Sequence, residues 1–442
     1  MLASTARIAR TVTVARVGCV PLASTARAAS TALLDSIVER VERSLPTRAG
    51  ASATSPSVVV GLSGGVDSAI AAWALKRCGA DVTAATTKNW DGLNEDANED
   101  CGYRDDLRSA TEIARKIGIP LTEIDFTREY WNDVFEPYVK AFSSGATPNP
   151  DLECNRSVKF GALLRHVTDV MGGDLLATGH YARIDRGVGE RVRLLRGVDE
   201  TKDQSYFLAS VSGDALSKAC FPLGEMLKSE TREAARALGL PCAERRSSAG
   251  ICFIGRRPFG DFIGEYIVPR EGAFVDAETS RPVPGAPPHK GLASYTVGQR
   301  AKIGGAAKPW FVIGKNVEEN VVYVANGADH DALFSTTAEL ADEFWISGER
   351  PEMNRLLAKA RYASPLTPVT IASASAESFT PSKFSSSYVS ASSLSEPLRA
   401  TFDAPERAVT PGQALVLYDG DVCLGGAVIH RVGATKFEKL YI

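Results

Sequence analysis

The sequence predicts an α/β protein extended by β structure: a parallel sheet with helices on both faces, then a small β-rich domain, then a C-terminal β-barrel. Three observations predict it. Apolar strand patterns alternate with helical patterns from residue 57 to about 255. The helical pattern then fades into the turn-rich "GAFVDAETSRPVPGAPPHKGLASYTVGQR". Beyond about residue 333 short alternating strands take over, among them "PVTIASA" and "ALVLYDGDVCLGGAVIH". A chain of 442 residues is too long for one ordinary core. The divisions expected are 1–56 (leader and linker), 57–255 (α/β), 256–332 (central) and 333–442 (barrel).

Taken in order, "SVVVGL" reads as a strand, and the helix after its glycine turn runs to about Gly79. "DVTAATTKNW" is a second strand, followed by an acidic loop. A helix over about 104–118 places Leu107, Ala110, Ile113, Ala114 and Ile117 on one face, at three- and four-residue spacing. "IPLTEIDF" (strand), "REYWNDVFEPYVKAF" (helix), a loop over 146–155, a helix to about Gly172 and "DLLATGHY" (strand) complete the alternation. Ligands of such sheets bind beyond the carboxyl ends of the strands, where "SGGVDS" and "TGHY" fall. Residues 372–395 hold 11 serines in 24 positions and read as a mobile loop between barrel strands, outside the core.

The first 34 residues hold four arginines and no acid among many Ala, Ser and Thr. That is the pattern of an organelle transit peptide. Without those four charges the formal net charge of −3 becomes −7, which argues weakly against RNA and is not the profile of a general nucleic-acid binder, so any RNA partner must be held by local basic patches. With no apolar run near 18 residues, no membrane helix is expected. The eight cysteines, Cys19, Cys78, Cys101, Cys154, Cys220, Cys242, Cys252 and Cys423, form no CxxC pair. In a reducing compartment most should be buried thiols.

Two stretches depart from that background. In residues 58–73, "VVVGLSGGVDSAIAAW", a strand, a Gly-Gly turn and a helix make a nest of backbone N–H groups for an anion. Ser63 and Ser68 add hydroxyls, Gly64 and Gly65 permit close approach, and Asp67 is placed to orient Mg²⁺. The loop lacks the G-K-[ST] ending, so no lysine of its own reaches the outer phosphates. In "TPNPDLECNRSVKF", residues 147–160, Cys154 falls just before a helix, with Arg156 and Lys159 nearby to favour its thiolate. Asp151, three residues earlier, is a candidate general acid or base. Cys252 in "SSAGICFIG", taken alone, reads as a buried strand cysteine, and His180 in "TGHY" as a structural or a functional histidine.

SGGxDS resembles the signature of the ATP-pyrophosphatase (PP-loop) superfamily, which implies a Rossmann-like domain that cleaves between the α- and β-phosphates. The departing pyrophosphate then explains a cradle without a lysine. "TPNPDLECN", "KDQSYFL", "GICFIG", "KNW", "EYWNDVF", "ATGHYAR", "TVGQR" and "TPGQALVLYDGDVCLGG" together resemble the tRNA-specific 2-thiouridylase family, and within it the mitochondrial branch. The resemblance runs from about residue 57 to the C-terminus, outside the serine-rich stretch.

The resemblance implies that Gly61, Leu62, Ser63, Gly64, Gly65, Val66, Asp67 and Ser68 hold ATP, with Thr87 and Gly179 lining the site. Where Thr87 stands, the family often has methionine. Asn149, Pro150 and Asp151 would surround the target base, with Cys154 as nucleophile and Cys252 carrying a persulfide. His180, Lys202, Asp203, Gln204, Arg361, Tyr362 and Gln413 would contact tRNA. The implied reaction adenylates the C2 oxygen of wobble uridine in mitochondrial tRNAs for Lys, Glu and Gln, using ATP and Mg²⁺. Sulfur from an upstream relay protein or cysteine desulfurase then replaces that oxygen, leaving a transient Cys154–Cys252 disulfide. The chain is expected to act as a monomer. A PP-loop ligase for small molecules leaves the paired cysteines unexplained, and a non-catalytic tRNA-binding protein leaves the intact motifs unexplained. An iron–sulfur cluster on Asp151, Cys154 and Cys252 is the less favoured mechanism.

Overall fold

The computed structural model describes residues 22–46, 55–90, 102–187, 191–245, 259–374, 379–385 and 397–441. Strands β1 (Ser57–Gly61), β2 (Asp81–Lys88), β3 (Leu121–Asp125) and β4 (Leu175–Ala177) come first in the chain. The hairpin β5 (Ala182–Asp185) and β6 (Arg193–Arg196) and the short β7 (Ala219–Cys220) follow. Five of these form a parallel sheet in the order β3-β2-β1-β4-β7. Val58, Val59 and Val60 are all buried, as a central parallel strand covered on both faces requires. From β1 the chain winds first to β2 and β3 and then to β4 and β7 on the other side. The switch point therefore lies between β1 and β4, where the crevice for a ligand opens.

Helix α1 (Leu22–Ser44) occupies part of the span expected to hold only leader and linker. Ile37 and Val41 are fully buried in the same core as Val58, Leu75 and Ala234. Arg40 pairs with Glu230 at 2.9 Å and donates to the Glu225 carbonyl at 2.9 Å. Helix α2 (Val66–Arg77) follows the glycine loop. Helix α3 (Gly102–Ile117) buries Ala110, Ile113 and Ala114, the centre of the predicted stripe, with Leu107 and Ile117 half-buried at its rim.

The central domain is a three-stranded sheet of β8 (Phe274–Asp276), β9 (Trp310–Asn316) and β10 (Val321–Asn326). Strands β11 (Phe334–Trp345), β12 (Arg355–Lys359), β13 (Thr367–Ser373), β14 (Leu398–Arg407), β15 (Ala414–Asp419) and β16 (Val422–Val432) then close into an antiparallel barrel. Pairing of β11 with both β14 and β16 closes it. The β5–β6 hairpin of the catalytic domain adds to this sheet, through Val422–Leu195 and Cys423–Leu194 on β16. Barrel and catalytic domain therefore share one hydrogen-bonded sheet.

The serine-rich stretch departs from expectation. Ser373 belongs to β13, and Ser382 and Phe384 are buried. Phe384 is 2% exposed among Ile313, Ala325 and Leu333, so it joins the central domain to the start of the barrel. Its carbonyl lies so close to Gly314 that a Cβ there would come within 1.8 Å. Serine density hid one aromatic anchor. Phe384→Ala is expected to destabilise the C-terminal half by about 3–5 kcal/mol, read as an earlier urea transition of its tryptophan fluorescence.

Candidate functional site

The glycine loop leaves β1 at the switch point. Gly64 has φ +74°, and a Cβ there would meet the Asp106 carbonyl at 2.6 Å. Its own carbonyl accepts from the Ser109 hydroxyl (2.8 Å) and an Arg245 Nη1 (3.1 Å), which draws the oxygen back into the protein. Helix α2 begins at Gly65 with no side-chain cap, so its first-turn N–H groups have no partner within the helix. Ser63 and Ser68 hydroxyls stand 3.2 Å apart, and Ser68 Oγ also accepts from the Ser63 amide. An uncapped helix start with two hydroxyls beside it is built to receive an anion.

Gly179 follows β4 across the crevice. A Cβ there would lie 2.8 Å from the Ser68 nitrogen and 2.9 Å from the Asp67 carbonyl carbon, so only glycine lets the two loops meet. Thr87 sits half-buried at the end of β2, its hydroxyl accepting from Asn89 Nδ2 at 2.9 Å. Asp67 receives the Tyr181 hydroxyl at 2.8 Å and Lys228 Nζ at 2.5 and 2.6 Å. Neither partner was anticipated from the sequence.

The cysteine segment is organised differently from expectation. A helix starts at Pro150, capped by the Asn149 side chain, which accepts from the Asp151 amide at 3.1 Å. Cys154 is therefore inside the helix rather than ahead of it. It opens a π-helical stretch, Cys154–Leu163, a wide-turned form that recurs at functional sites. Being past the first turn, it feels less of the helix dipole than its sequence position suggested. Arg156, expected to favour the thiolate, is instead paired with Glu153 at 2.6 Å. Asp151, one turn before Cys154, lies on the same side of the helix. Burial, and then the Asp151 charge, push the Tyr138 hydroxyl's pKa up. Cys154 itself is 1% exposed.

The barrel holds this segment in place. The Thr147 amide donates to the Pro411 carbonyl at 2.9 Å, and Gln413 Nε2 donates to the Thr147 carbonyl at 2.6 Å. Gly412 has φ +90°, and a Cβ there would reach the Thr147 nitrogen at 2.9 Å. The distant motifs "TPNPD" and "TPGQA" thus meet, and the Gln413 side chain is engaged with the protein. Beneath the cysteine, Asn155 Nδ2 donates to the Phe207 carbonyl at 2.9 Å, and Tyr362 packs on the Phe207 ring at 4.4 Å. Asn155 Oδ1 and Thr147 Oγ1 are buried with no hydrogen-bond partner among the described residues. Arg361 lies 3.6 Å from Glu406 and keeps about a third of its side chain exposed.

Of the remaining expected tRNA contacts, Lys202 is exposed on the surface. His180 is 9% exposed between the Phe160 and Phe221 rings, with its Nδ1 2.7 Å from the Thr178 hydroxyl. Burial, and then the Lys159 charge, hold its pKa well below the usual histidine range, so the ring is neutral. Gln204 grips the Tyr181 backbone, its Oε1 accepting the N–H at 3.0 Å and its own N–H donating to the C=O at 2.9 Å. The Asp203 side chain, expected to contact tRNA, has no solvent exposure. It accepts from the amides of Gly197 and Ser205 (both 3.1 Å) and faces Lys359 and Arg196 at 3.3 and 3.5 Å. The motif "KDQS" thus braces the site from behind.

Four other cysteines read as packing thiols. Burial is the leading cause that raises Cys78 and Cys220 to about 11, Cys423 to about 12, and Cys242 above its ordinary value. Cys252 lies outside the described residues, and with it the expected Cys154–Cys252 pairing and the cluster alternative. Among the described residues no three His, Cys, Asp or Glu side chains converge as a metal site. No described helix is long and apolar enough to cross a membrane.

Sheet order, anion cradle and appended barrel define a three-domain protein built on an α/β phosphate-binding domain. Residues 56–256 match the tRNA methyl transferase HUP domain, 260–326 the tRNA methyl transferase PRC-barrel domain, and 385–429 the aminomethyltransferase beta-barrel domain. The chain is 42% identical over 392 residues to tRNA-specific 2-thiouridylase MnmA 2 of Geobacillus kaustophilus (strain HTA426), covering 87% of this chain and 97% of that one. It is 41% identical over 390 residues to tRNA-specific 2-thiouridylase MnmA of Staphylococcus aureus (strain bovine RF122 / ET3-1), covering 87% and 98%. The chain belongs to the tRNA-specific 2-thiouridylase family.

Proposed function

We propose that this chain is a tRNA-uridine 2-sulfurtransferase that thiolates wobble uridine in the mitochondrial tRNAs for Lys, Glu and Gln. One observation carries the reading. An anion cradle and a buried cysteine helix are joined to one sheet, and the barrel's Gly412 and Gln413 pin the loop that leads into that helix. Methyl transfer, which the descriptions of two matched domains name, releases no phosphate and gives such a cradle no work.

In this reading Ser63, Ser68 and the α2 amides take the phosphates of ATP, and Asp67 orients Mg²⁺. AMP goes to the C2 oxygen of uridine and pyrophosphate leaves. The base is taken from its stack and held by Asn149, Pro150 and Asp151. The buried Asn155 Oδ1 and Thr147 Oγ1 supply acceptors beside it. The outer sulfur of a Cys252 persulfide attacks C2 and AMP departs. Cys154 thiolate then attacks Cys252 Sγ, freeing the thiolated base and forming the Cys154–Cys252 disulfide. In the variant order, Cys154 first releases hydrosulfide, which attacks C2, and the same disulfide results. An external dithiol returns two electrons before the next turnover. Cys154 at 1% exposure meets the base or the persulfide only after the side chains over it give way.

The test is tRNA mobility on a mercury gel after incubation with ATP, Mg²⁺ and a persulfide donor. ATP-dependent retardation is the expected result. Pyrophosphate release without retardation would leave a PP-loop ligase of another substrate. Because tRNA is held by local basic side chains, raising salt from 50 to 200 mM is expected to weaken tRNA binding roughly tenfold or more. Import into the matrix is proposed on the arginine-rich leader. It is tested by fusing residues 1–34 to a fluorescent reporter, where a cytosolic signal would refute it.

A further inference from the structure

The glycine loop carries no lysine, yet an ammonium stands beside it. Lys228 is the first residue of the helix Lys228–Ala237, 161 positions from Asp67, and its Nζ lies 2.5 and 2.6 Å from the two Asp67 oxygens. Asp67 is the second residue of α2, in the turn whose amides form the cradle. The lysine side chain is 13% exposed and its partner 33%, so the pair sits at the lip of the crevice.

The placement is not explained by helix stability. A cation at a helix N-terminus faces the positive end of the dipole. That terminus already has its cap, since Glu230 accepts from the Leu227 amide at 2.7 Å. The lysine is nonetheless held firmly. Its amide donates to Asp199 Oδ2 at 2.9 Å, while Asp199 Oδ1 receives the Thr201 amide and hydroxyl at 3.0 and 2.7 Å. The Lys228 ammonium stands 5.7 Å from the centre of the Tyr181 ring, and Gln204 grips the Tyr181 backbone on both sides. The 199–204 segment thus aims two side chains, Lys228 and Tyr181, at Asp67.

We infer that Lys228 is the phosphate-binding lysine of this nucleotide site, supplied by a helix remote in sequence rather than by the loop. The inference rests on the proposed reading of the loop as an ATP cradle. Without nucleotide, Asp67 holds the ammonium next to the α2 N-terminus. With nucleotide bound, Lys228 would turn to the β- and γ-phosphates and follow the charge onto pyrophosphate, leaving the Asp67 carboxylate to hold Mg²⁺. AMP, which lacks those groups, gains little from it.

The test is calorimetric titration of the full chain, wild type, Lys228→Met and Lys228→Arg, with Mg·ATP, inorganic pyrophosphate and AMP. Lys228→Met is expected to weaken ATP and pyrophosphate roughly tenfold to hundredfold, the worth of one charged hydrogen bond. AMP affinity should change less than about threefold, and Lys228→Arg should recover most of the loss. A Lys228→Met protein that binds ATP and pyrophosphate as the wild type does overturns the inference and leaves the cradle standing. Equal losses for AMP and ATP overturn it in favour of a structural role. A wild-type chain that binds neither ATP nor pyrophosphate overturns the reading of the loop, and the inference with it.

Discussion

Cys154→Ala is expected to lower tRNA thiolation by more than a factor of about a thousand, as loss of an essential nucleophile does, while ATP binding stays within about twofold of wild type. The contrast follows from the layout. The cradle is built by the loop after β1, by Gly179 and by the partners of Asp67, whereas Cys154 opens the π-helical stretch that follows Asn149 and Pro150. Alanine removes one sulfur from a helix whose cap, Asn149, and whose tether, Thr147, do not involve it. The control variants are Cys220→Ala and Cys423→Ala. Burial pushes these thiols up to about 11 and about 12, so neither is a thiolate at neutral pH, and both should keep catalysis apart from any loss of stability. Cys252→Ala supplies the complementary arm. It should fail with a persulfide donor and recover with free sulfide, because a carrier is bypassed when its cargo is supplied directly. Retained thiolation in Cys154→Ala would remove the nucleophile from the mechanism.

The cradle was legible because its cause is local. A Gly-Gly turn between a valine strand and an alanine-rich helix admits few backbone paths, and Gly64 at φ +74° is the residue that turn needs. Sheet, central domain and barrel were legible from the change of period along the chain. What the sequence hid has in common that its partners are distant. Thr147 meets Gln413 across 266 positions and Asp67 meets Lys228 across 161, and no window of residues contains both halves of either contact. Composition misled in two places. Alanine, serine and arginine concealed α1, whose Ile37 and Val41 are core, and serine density concealed Phe384. The cysteine segment misled through its prolines. Pro150 suits the first turn of a helix as well as it suits a loop, and the cap at Asn149 decides for the helix.

Asp203→Asn separates the two roles that the "KDQSYFL" motif can play. A carboxylate contacting tRNA would be lost with weaker binding and unchanged stability. The structure calls for the reverse. Asparagine keeps an oxygen for the Gly197 and Ser205 amides, but it brings an amide donor toward Lys359 and Arg196. Lys359, with 7% of its side chain exposed, then loses its carboxylate partner, while Arg196, with 14%, keeps Asp421 at 3.4 Å and Glu200 at 3.8 Å. Removing one partner of a buried ion pair costs about 3–5 kcal/mol. Here Lys359 ends a barrel strand while Arg196 ends the hairpin strand β6, so the damage falls on the seam between barrel and catalytic domain. Urea unfolding of the variant should begin earlier, with the barrel released from the hairpin, and protease should cut there first. Lys359→Met alone should also destabilise. The double variant should cost less than the two singles added together, because each single leaves a charge that the double removes. Strict additivity, or a stable Asp203→Asn protein with weakened tRNA binding, would return Asp203 to the RNA surface and would require its side chain to become exposed when tRNA binds.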